Sequence, residues 1–297
     1  MHVLFEPGFF SSGPVHVALA VGGVSALVCA VVGVFTVMRG QSFAGHALSD
    51  VATTGGSGAF YFGASPLVGF LSAGVMGAGA MELIGVERLR GRDVATGVVL
   101  GFATGLSALF LYLDSTKSAV TGVSQQVLFG SIFSLDPSTI PLVSALSALT
   151  LLVVVVIYRP LLLSSVSPDL AAARGVRVRL VGLLFMLSLA VAVGLSSIAI
   201  GSILSTALLI GPAATALRVT KNLRAAMALA ASWGVLATWL GVMCAYDSYY
   251  WLRPNPGLPV SFFIVGLIFV GYLGAGLPAR RRPSSTASSL QLESASA

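Results

Sequence analysis

The sequence predicts an all-α polytopic membrane protein, a bundle of about nine spanning helices, for three reasons. First, 56% of the 297 residues are hydrophobic and only 9% are charged, against about 25% charged residues in soluble proteins. Second, the mean hydropathy is +0.97, and a water-soluble domain with this composition would aggregate. Third, apolar stretches of about 20 residues, the length that crosses a bilayer as a helix, recur along the whole chain. Little is left for a domain outside the membrane.

The apolar stretches define nine predicted spans, taken in chain order. The first has no basic segment before it and is long enough to span, so we expect it to stay in the mature protein. We assign residues 1–278 to a transmembrane domain and the serine-rich residues 279–297 to a disordered cytoplasmic tail. The predicted spans are residues 15–38, 44–63, 65–85, 94–113, 140–158, 180–199, 200–217, 226–246 and 258–277.

The positive charges predict the orientation in the cell membrane. If the nine spans alternate, most basic residues fall on one side, which should be cytoplasmic. The N-terminus is then outside and the C-terminus inside. The net charge of +6 follows from this distribution, so we infer no binding of nucleic acid. The basic residues of the predicted cytoplasmic side are Arg39, Arg88, Arg90, Arg92, Arg159, Arg174, Arg177, Arg179, Arg218, Lys221, Arg224, Arg280, Arg281 and Arg282.

The second span carries the polar pair that most suggests a function, His46 and Asp50. Residues four apart lie on the same face of a helix, and ionisable groups at membrane depth usually line a pathway or a cavity. Imidazole and carboxylate are ligands for Mn²⁺, Zn²⁺ and Fe²⁺, and no cysteine lies nearby to favour Cu⁺. A hydrogen-bonded His–Asp pair that only ties helices together would explain these residues equally well.

Three glycines follow the polar pair in the second span. Gly55, Gly56 and Gly58 interrupt the apolar pattern, as expected where a helix is broken or narrowed so that its backbone lines a cavity. The sequence therefore predicts a helix break or kink at this point.

Two other spans contain helix-modifying residues. Pro212 predicts a kink in the seventh span, since proline removes a backbone hydrogen bond. Such a bend could allow a pathway to open, or the small residues around Pro212 could serve only close helix packing. In the fourth span, Gly97, Gly101 and Gly105 lie along one face and allow close helix approach. Packing within the chain explains them better than a subunit contact.

The loop after the fifth span reads as a short capped helix. Ser167 can cap it, Pro168 suits its first position, Asp169 favours its positive end and Gly175 ends it. The helix is either an ordinary loop helix or a surface on which another protein docks. The segment comprises Ser167, Pro168, Asp169, Leu170, Ala171, Ala172, Ala173, Arg174 and Gly175.

These motifs, taken in order, resemble the membrane permease subunit of the ABC-3 family, importers of manganese, zinc or iron. The resemblance covers nearly the whole chain, through residues 45–55, 92–97, 128–132, 167–175 and 205–216. Two departures stand out. The family usually has aspartate before histidine, whereas here His46 precedes Asp50, which changes the depth of each donor. Ser167 stands where the family has aspartate, and it keeps the capping function.

The resemblance implies a transport mechanism with several partners. Two permease subunits, expected to be identical, would form the pathway with His46 and Asp50 of each facing the shared axis. An extracytoplasmic metal-binding protein would deliver the ion, and cytoplasmic ATP-binding subunits would dock on residues 167–175, the cytoplasmic coupling helix. The cargo is a divalent metal ion, and no cofactor is bound permanently. The chain has no G-x-x-x-x-G-K-[ST] loop, so it should not itself be an ATPase.

Two other functions are compatible with the polar pair. An ion-coupled secondary cation carrier would need the same intramembrane ligands and a broken helix, but no docking helix. An intramembrane hydrolase could use His46 as a base and Asp50 as its orienting group. It would also need a nucleophile, and Ser49, beside Asp50, lies on another face of the helix, which makes the enzyme the least supported function.

Overall fold

The computed structural model describes residues 8–85, 89–117, 123–130, 132–251 and 257–276. Within these ranges the chain forms eleven α-helices and no β-strand, which confirms the predicted all-α fold. The predicted tail, 279–297, lies outside the described residues. The helices are α1 (Gly13–Met38), α2 (Ser42–Tyr61), α3 (Pro66–Gly85), α4 (Leu89–Lys117), α5 (Val123–Phe129), α6 (Thr139–Val166), α7 (Pro168–Ala173), α8 (Val178–Ile200), α9 (Ser202–Val219), α10 (Leu223–Trp251) and α11 (Val260–Gly276).

Each of the nine predicted spans coincides with one long helix, and all but α5 and α7 are such helices. Six of them (α1, α4, α6, α8, α9 and α10) are both long and apolar enough to cross a membrane. The apolar parts of α3 and α11 are shorter, and α2 is more polar because it carries His46, Ser49 and Asp50. The protein is thus a multi-pass membrane protein, for which nine spans is an approximate count.

The centre of the bundle is built on α1 and α8, the two helices with the largest buried share. Phe35 of α1 and Phe185 of α8 are fully buried and their rings meet edge to face, with centroids 6.4 Å apart. Gly33 lets α9 approach α1, since a Cβ there would overlap the carbonyl oxygen of Leu209. Because lipid gives helices no hydrophobic reason to associate, such dispersion contacts through small residues hold the bundle together.

The helices α2, α3 and α4 form a second group at the side of this core. Gly55 of α2 faces Gly69 of α3, and a Cβ on either would overlap the carbonyl oxygen of the other. The ring of Phe70 covers Gly56, and that of Phe110 lies beside Gly58. The helix α2 is continuous from Ser42 to Tyr61, so it has no break at these glycines, and a kink there stays a prediction. They bring neighbouring helices close instead.

The structure bears differently on the predictions made for Pro212 and for the glycines of α4. The helix α9 continues through Pro212 without interruption, and a bend there stays a prediction. A Cβ at Gly97, Gly101 or Gly105 would meet no atom of the described residues within 4 Å. The expectation that these glycines pack within the chain is therefore wrong, because their face of α4 is turned away from the bundle.

The short helix α5, which the sequence did not predict, packs against the junction of α8 and α9. Gly130 (φ 78°) and Gly201 (φ 89°) both have left-handed backbone conformations that favour glycine. A Cβ at Gly201 would overlap the carbonyl oxygen of Leu128, and Ser202 Oγ donates to the carbonyl oxygen of Val127 at 3.3 Å. A single residue thus reverses the chain between two long helices.

Candidate metal site on α2

The side chain of His46 reaches from α2 to α9. Its Nδ1 atom lies 3.1 Å from Thr206 Oγ1, and the residue is half-buried. When the proton is on Nδ1, the ring donates to the threonine hydroxyl and Nε2 keeps its lone pair. Nε2 has no hydrogen-bond partner among the described residues. An imidazole held in this way by its other nitrogen is the usual arrangement of a metal ligand.

The side chain of Asp50 lies one helical turn further along and faces α4. Thr104 Oγ1 donates to Asp50 Oδ2 at 3.1 Å, and the same hydroxyl lies 2.9 Å from the carbonyl oxygen of Leu100. Thr54 donates to the carbonyl oxygen of Ala103 on α4 at 2.7 Å. Asp50 Oδ1 has no partner within the described part of the chain. The carboxylate is therefore oriented by α4 and keeps an oxygen available for a cation.

Ser49 fixes α2 against α9 between these two residues. Its buried hydroxyl donates to the carbonyl oxygen of Ser202 at 2.8 Å and lies 2.6 Å from Ser205 Oγ. In the described structure, His46 makes no hydrogen bond with Ser49 or Asp50. The geometry thus offers neither the hydrogen-bonded His–Asp pair nor the activated serine that a hydrolase would need.

The structure adds site residues that sequence analysis missed. Thr104 and Thr206 orient the two candidate ligands, and Ser202 and Ser205 hold α2 beside α9. One sequence feature could have pointed to Thr104: it is a hydroxyl residue that lies between Gly101 and Gly105 of the α4 motif. Neither threonine could be paired with its partner from local spacing, because Thr206 is 160 residues from His46.

The candidate site of a single chain is incomplete as a metal centre. Among the described residues, no group of three or more His, Cys, Asp or Glu side chains could hold a metal ion. His46 and Asp50 offer one nitrogen and one oxygen, whereas Zn²⁺ takes about four ligands in proteins and Mn²⁺ about six. Water or another chain would have to supply the rest.

A cavity of about 650 Å³ lies beside the candidate site, between α2, α3 and α4. Thr54, Gly55 and Gly58 line it, but His46 and Asp50 do not, and its walls are almost wholly apolar. The described lining includes no carboxylate or imidazole, so the polar pair nearby on α2 remains the chemically suited position for a cation.

The short helix predicted after the fifth span is confirmed as α7. Ser167 Oγ accepts a hydrogen bond from the Leu170 backbone N–H at 3.3 Å, and Pro168 occupies the first turn. Gly175 follows with a φ of 79°. Ala171 is buried, whereas Leu170 is 47% exposed, so α7 presents an apolar side chain outward. Its docking to an ATPase stays a prediction.

Several of the described charged residues at the two ends of the bundle differ in the sign of their charge. At the end that carries α7, Arg39 donates to Ser164 Oγ at 3.2 Å, and Arg159 and Arg224 line one cleft. At the other end, Asp136 precedes α6, and the side chain and then the backbone N–H of Ser138 lower the pKa of its carboxyl. Basic side chains thus lie at the α7 end and a carboxylate at the other, and which end is cytoplasmic stays a prediction.

The chain is similar to characterised transport proteins over most of its length. Residues 14–271 match the model of the ABC 3 transport family. The manganese transport system membrane protein MntC of Halalkalibacterium halodurans is 30% identical over 73% of each chain. The chelated iron transport system membrane protein YfeD of Yersinia pestis is 27% identical over 85% of this chain and 84% of its own. A chain of the solved structure of PsaBC from Streptococcus pneumoniae in complex with Fab gives a TM-score of 0.77 at 25% identity, covering 90% of this chain and 92% of that one.

Proposed function

The chain belongs to the ABC 3 transport family as a permease of a metal-type ABC importer, and we propose that two copies of it form the membrane pathway for Mn²⁺, Zn²⁺ or Fe²⁺. The observation that carries the proposal is the pair of His46 and Asp50 on α2, each oriented by a threonine of a different neighbouring helix. Ionisable side chains in a spanning helix are costly unless they serve a pathway.

The ligands suit a cation that binds briefly and leaves. One imidazole nitrogen and one carboxylate oxygen replace part of the ion's water shell, and two copies would provide two of each. This mixture fits first-row divalent ions better than Cu⁺, which prefers thiolates and thioethers. The names of the relatives, one for manganese and one for chelated iron, support this class of ion and leave the choice within it open.

The open face of α4 supports the second copy of the permease. Gly101 and Gly105 flank Thr104, the residue that orients Asp50, and nothing within the described chain covers these glycines. Small residues spaced by four allow helices from two chains to approach closely. A second copy seated on this face would bring its own donors towards Asp50 and complete the incomplete metal site.

We assign one further partner protein to each end of the helix bundle. Cytoplasmic ATP-binding subunits would contact α7, whose exposed Leu170 suits insertion into an apolar groove. An extracytoplasmic metal-binding protein would deliver the ion to the opposite end, in a cell membrane where the N-terminus is outside and the C-terminus cytoplasmic. Hydrolysis of ATP belongs to the partner, since the chain lacks a phosphate-binding loop.

Reconstitution in lipid vesicles tests this function. We expect Mn²⁺, Zn²⁺ or Fe²⁺ to enter only when an ATP-binding partner with an intact phosphate-binding loop is present, and competition among the three ions to identify the cargo. Uptake driven by an ion gradient without that partner would favour a secondary carrier instead.

Variants of the polar pair test the site within the same assay. We expect His46→Ala and Asp50→Asn to abolish uptake while assembly with the ATPase persists, because the first removes the imidazole nitrogen and the second replaces the carboxylate by a neutral amide, a much weaker ligand for a divalent cation. The matched controls are His16→Ala and Asp136→Asn, which alter the same residue types away from α2. Normal uptake by both site variants would show that His46 and Asp50 serve only helix packing.

A further inference from the structure

A cleft between α6 and α10, at the end of the bundle that carries α7, combines positive charge with an apolar wall. Its volume is about 580 Å³. None of the described residues that line it is acidic. The lining residues are Val155, Val156, Tyr158, Arg159, Pro160, Arg224 and Met227.

The two arginines of the cleft have no counter-charge within the described chain. Arg159 and Arg224 are both exposed, and neither guanidinium forms a hydrogen bond or an ion pair with the described residues. Arg224 lies in the first turn of α10. That turn contains no acidic residue. Because the positive end of the helix dipole disfavours a cation there, the cleft has an uncompensated positive potential that suits an anion.

The apolar wall of the cleft continues from the arginines along α6. Val155 and Val156 are 68% and 71% exposed and precede Arg159 by about one helical turn. They therefore lie on the same side of α6 as the arginine, on its membrane side. A soluble anion would use the arginines but not the valines, whereas a molecule with an anionic head and an apolar tail would use both.

We propose that this cleft binds an anionic phospholipid, with the phosphate between Arg159 and Arg224 and an acyl chain along Val155 and Val156. Arginine suits the phosphate because its planar guanidinium can donate two parallel hydrogen bonds. Tyr158 is suited to the interface, where one end of the ring meets apolar chains and the other meets polar groups. Basic pockets between spanning helices are known positions for such headgroups. The site is separate from the metal pair on α2.

Native mass spectrometry of the purified full chain, released from detergent with phosphatidylglycerol and phosphatidylcholine of identical acyl chains, tests the proposal. We expect one phosphatidylglycerol to be retained in preference to phosphatidylcholine. The double variant Arg159→Gln/Arg224→Gln should bind it about thirtyfold more weakly, from about fivefold for each arginine, and each single variant should show the smaller loss. Arg177→Gln/Arg179→Gln removes the same charge at the same end of the bundle and should keep the preference.

Four outcomes would overturn the lipid site. Equal retention of the two lipids by the wild type would exclude headgroup recognition. If Arg177→Gln/Arg179→Gln weakened phosphatidylglycerol binding as much as the site variants, the binding could not be assigned to this cleft. The same holds if neither the single nor the double site variants weakened it. Displacement of the lipid by an excess of glycerol phosphate would indicate a site for a soluble phosphate, since the acyl chain would then contribute nothing.

Discussion

At the scale of single residues, the candidate metal site consists of two ligands and the hydroxyl groups that orient them. The spacing of His46 and Asp50 was sufficient to predict that they share a helix face. It could not predict that one faces α9 and the other α4, because these contacts join residues far apart in the sequence. Local patterns predicted the two candidate ligands, and only the fold showed which hydroxyl groups contact them.

Removing the hydroxyl of Thr206 tests whether His46 is held for metal binding. We expect Thr206→Val to lower metal affinity or uptake by about 10- to 100-fold, the usual effect of losing a group that orients a metal ligand. The valine keeps the shape of the side chain but leaves the imidazole ring free to rotate. Metal binding by the purified protein and uptake in vesicles measure the effect.

Thr215→Val is the matched control for that variant. Thr215 lies on the same helix, and its hydroxyl donates to the carbonyl oxygen of Gly211 within α9, so its loss should leave metal affinity unchanged. If Thr206→Val also binds and transports the metal like the wild type, the orienting hydrogen bond has no part in function.

At the scale of helices, the nine long elements were predictable and the short ones only partly so. Apolar runs of spanning length identify helices without any knowledge of their neighbours, and the caps of α7 are local signals. The seven residues of α5 carry neither signal, and α5 is held instead by contacts with Gly201 and the Ser202 hydroxyl, which are far from it in the sequence. The glycines of α2 show a further limit, since an interruption and a close helix contact have the same sequence pattern.

Substitution of the exposed side chain of α7 tests its role in docking. We expect Leu170→Glu to weaken binding of the ATP-binding subunit by about 10- to 100-fold, because the subunit would lose the burial of a leucine and have to desolvate a charge. Co-purification and titration with the partner measure this. The substitution leaves the buried Ala171 and the Ser167 cap in place.

Asn222→Asp controls for the added negative charge of the α7 variant. Asn222 accepts a hydrogen bond from the Arg224 backbone N–H, a position where aspartate also caps a helix. It lies in another connection at the same end of the bundle and should leave binding of the partner intact. Wild-type association of Leu170→Glu would argue that α7 is an ordinary loop helix.

At the scale of the whole molecule, one chain presents two candidate metal ligands beside a helix face that the described residues leave uncovered. Phe102 and Val98 of α4 are 71% and 69% exposed, and the neighbouring glycines face open space. Lipid can cover such a face, but lipid adds no ligands to Asp50. The proposed metal site would therefore be complete only in an assembly, which the sequence indicates only by family resemblance.

A bulky residue in the glycine face of α4 tests the dimer. We expect Gly101→Leu to weaken dimer formation at least about tenfold in sedimentation experiments, because the leucine holds the two backbones apart, while each monomer keeps its fold. Gly266→Leu on α11, where a Cβ also meets nothing within 4 Å, should dimerise normally. A Gly101→Leu protein as dimeric as the control would place the interface elsewhere.

X-ray absorption spectroscopy of the Zn²⁺-loaded dimer tests most directly the claim that the ion exchanges water for ligands of α2. We predict scattering from imidazole nitrogen at about 2.0–2.1 Å in the wild type and in His16→Ala, and its loss in His46→Ala. An unchanged imidazole signal in His46→Ala would contradict the account, because the metal would then be bound somewhere other than this site.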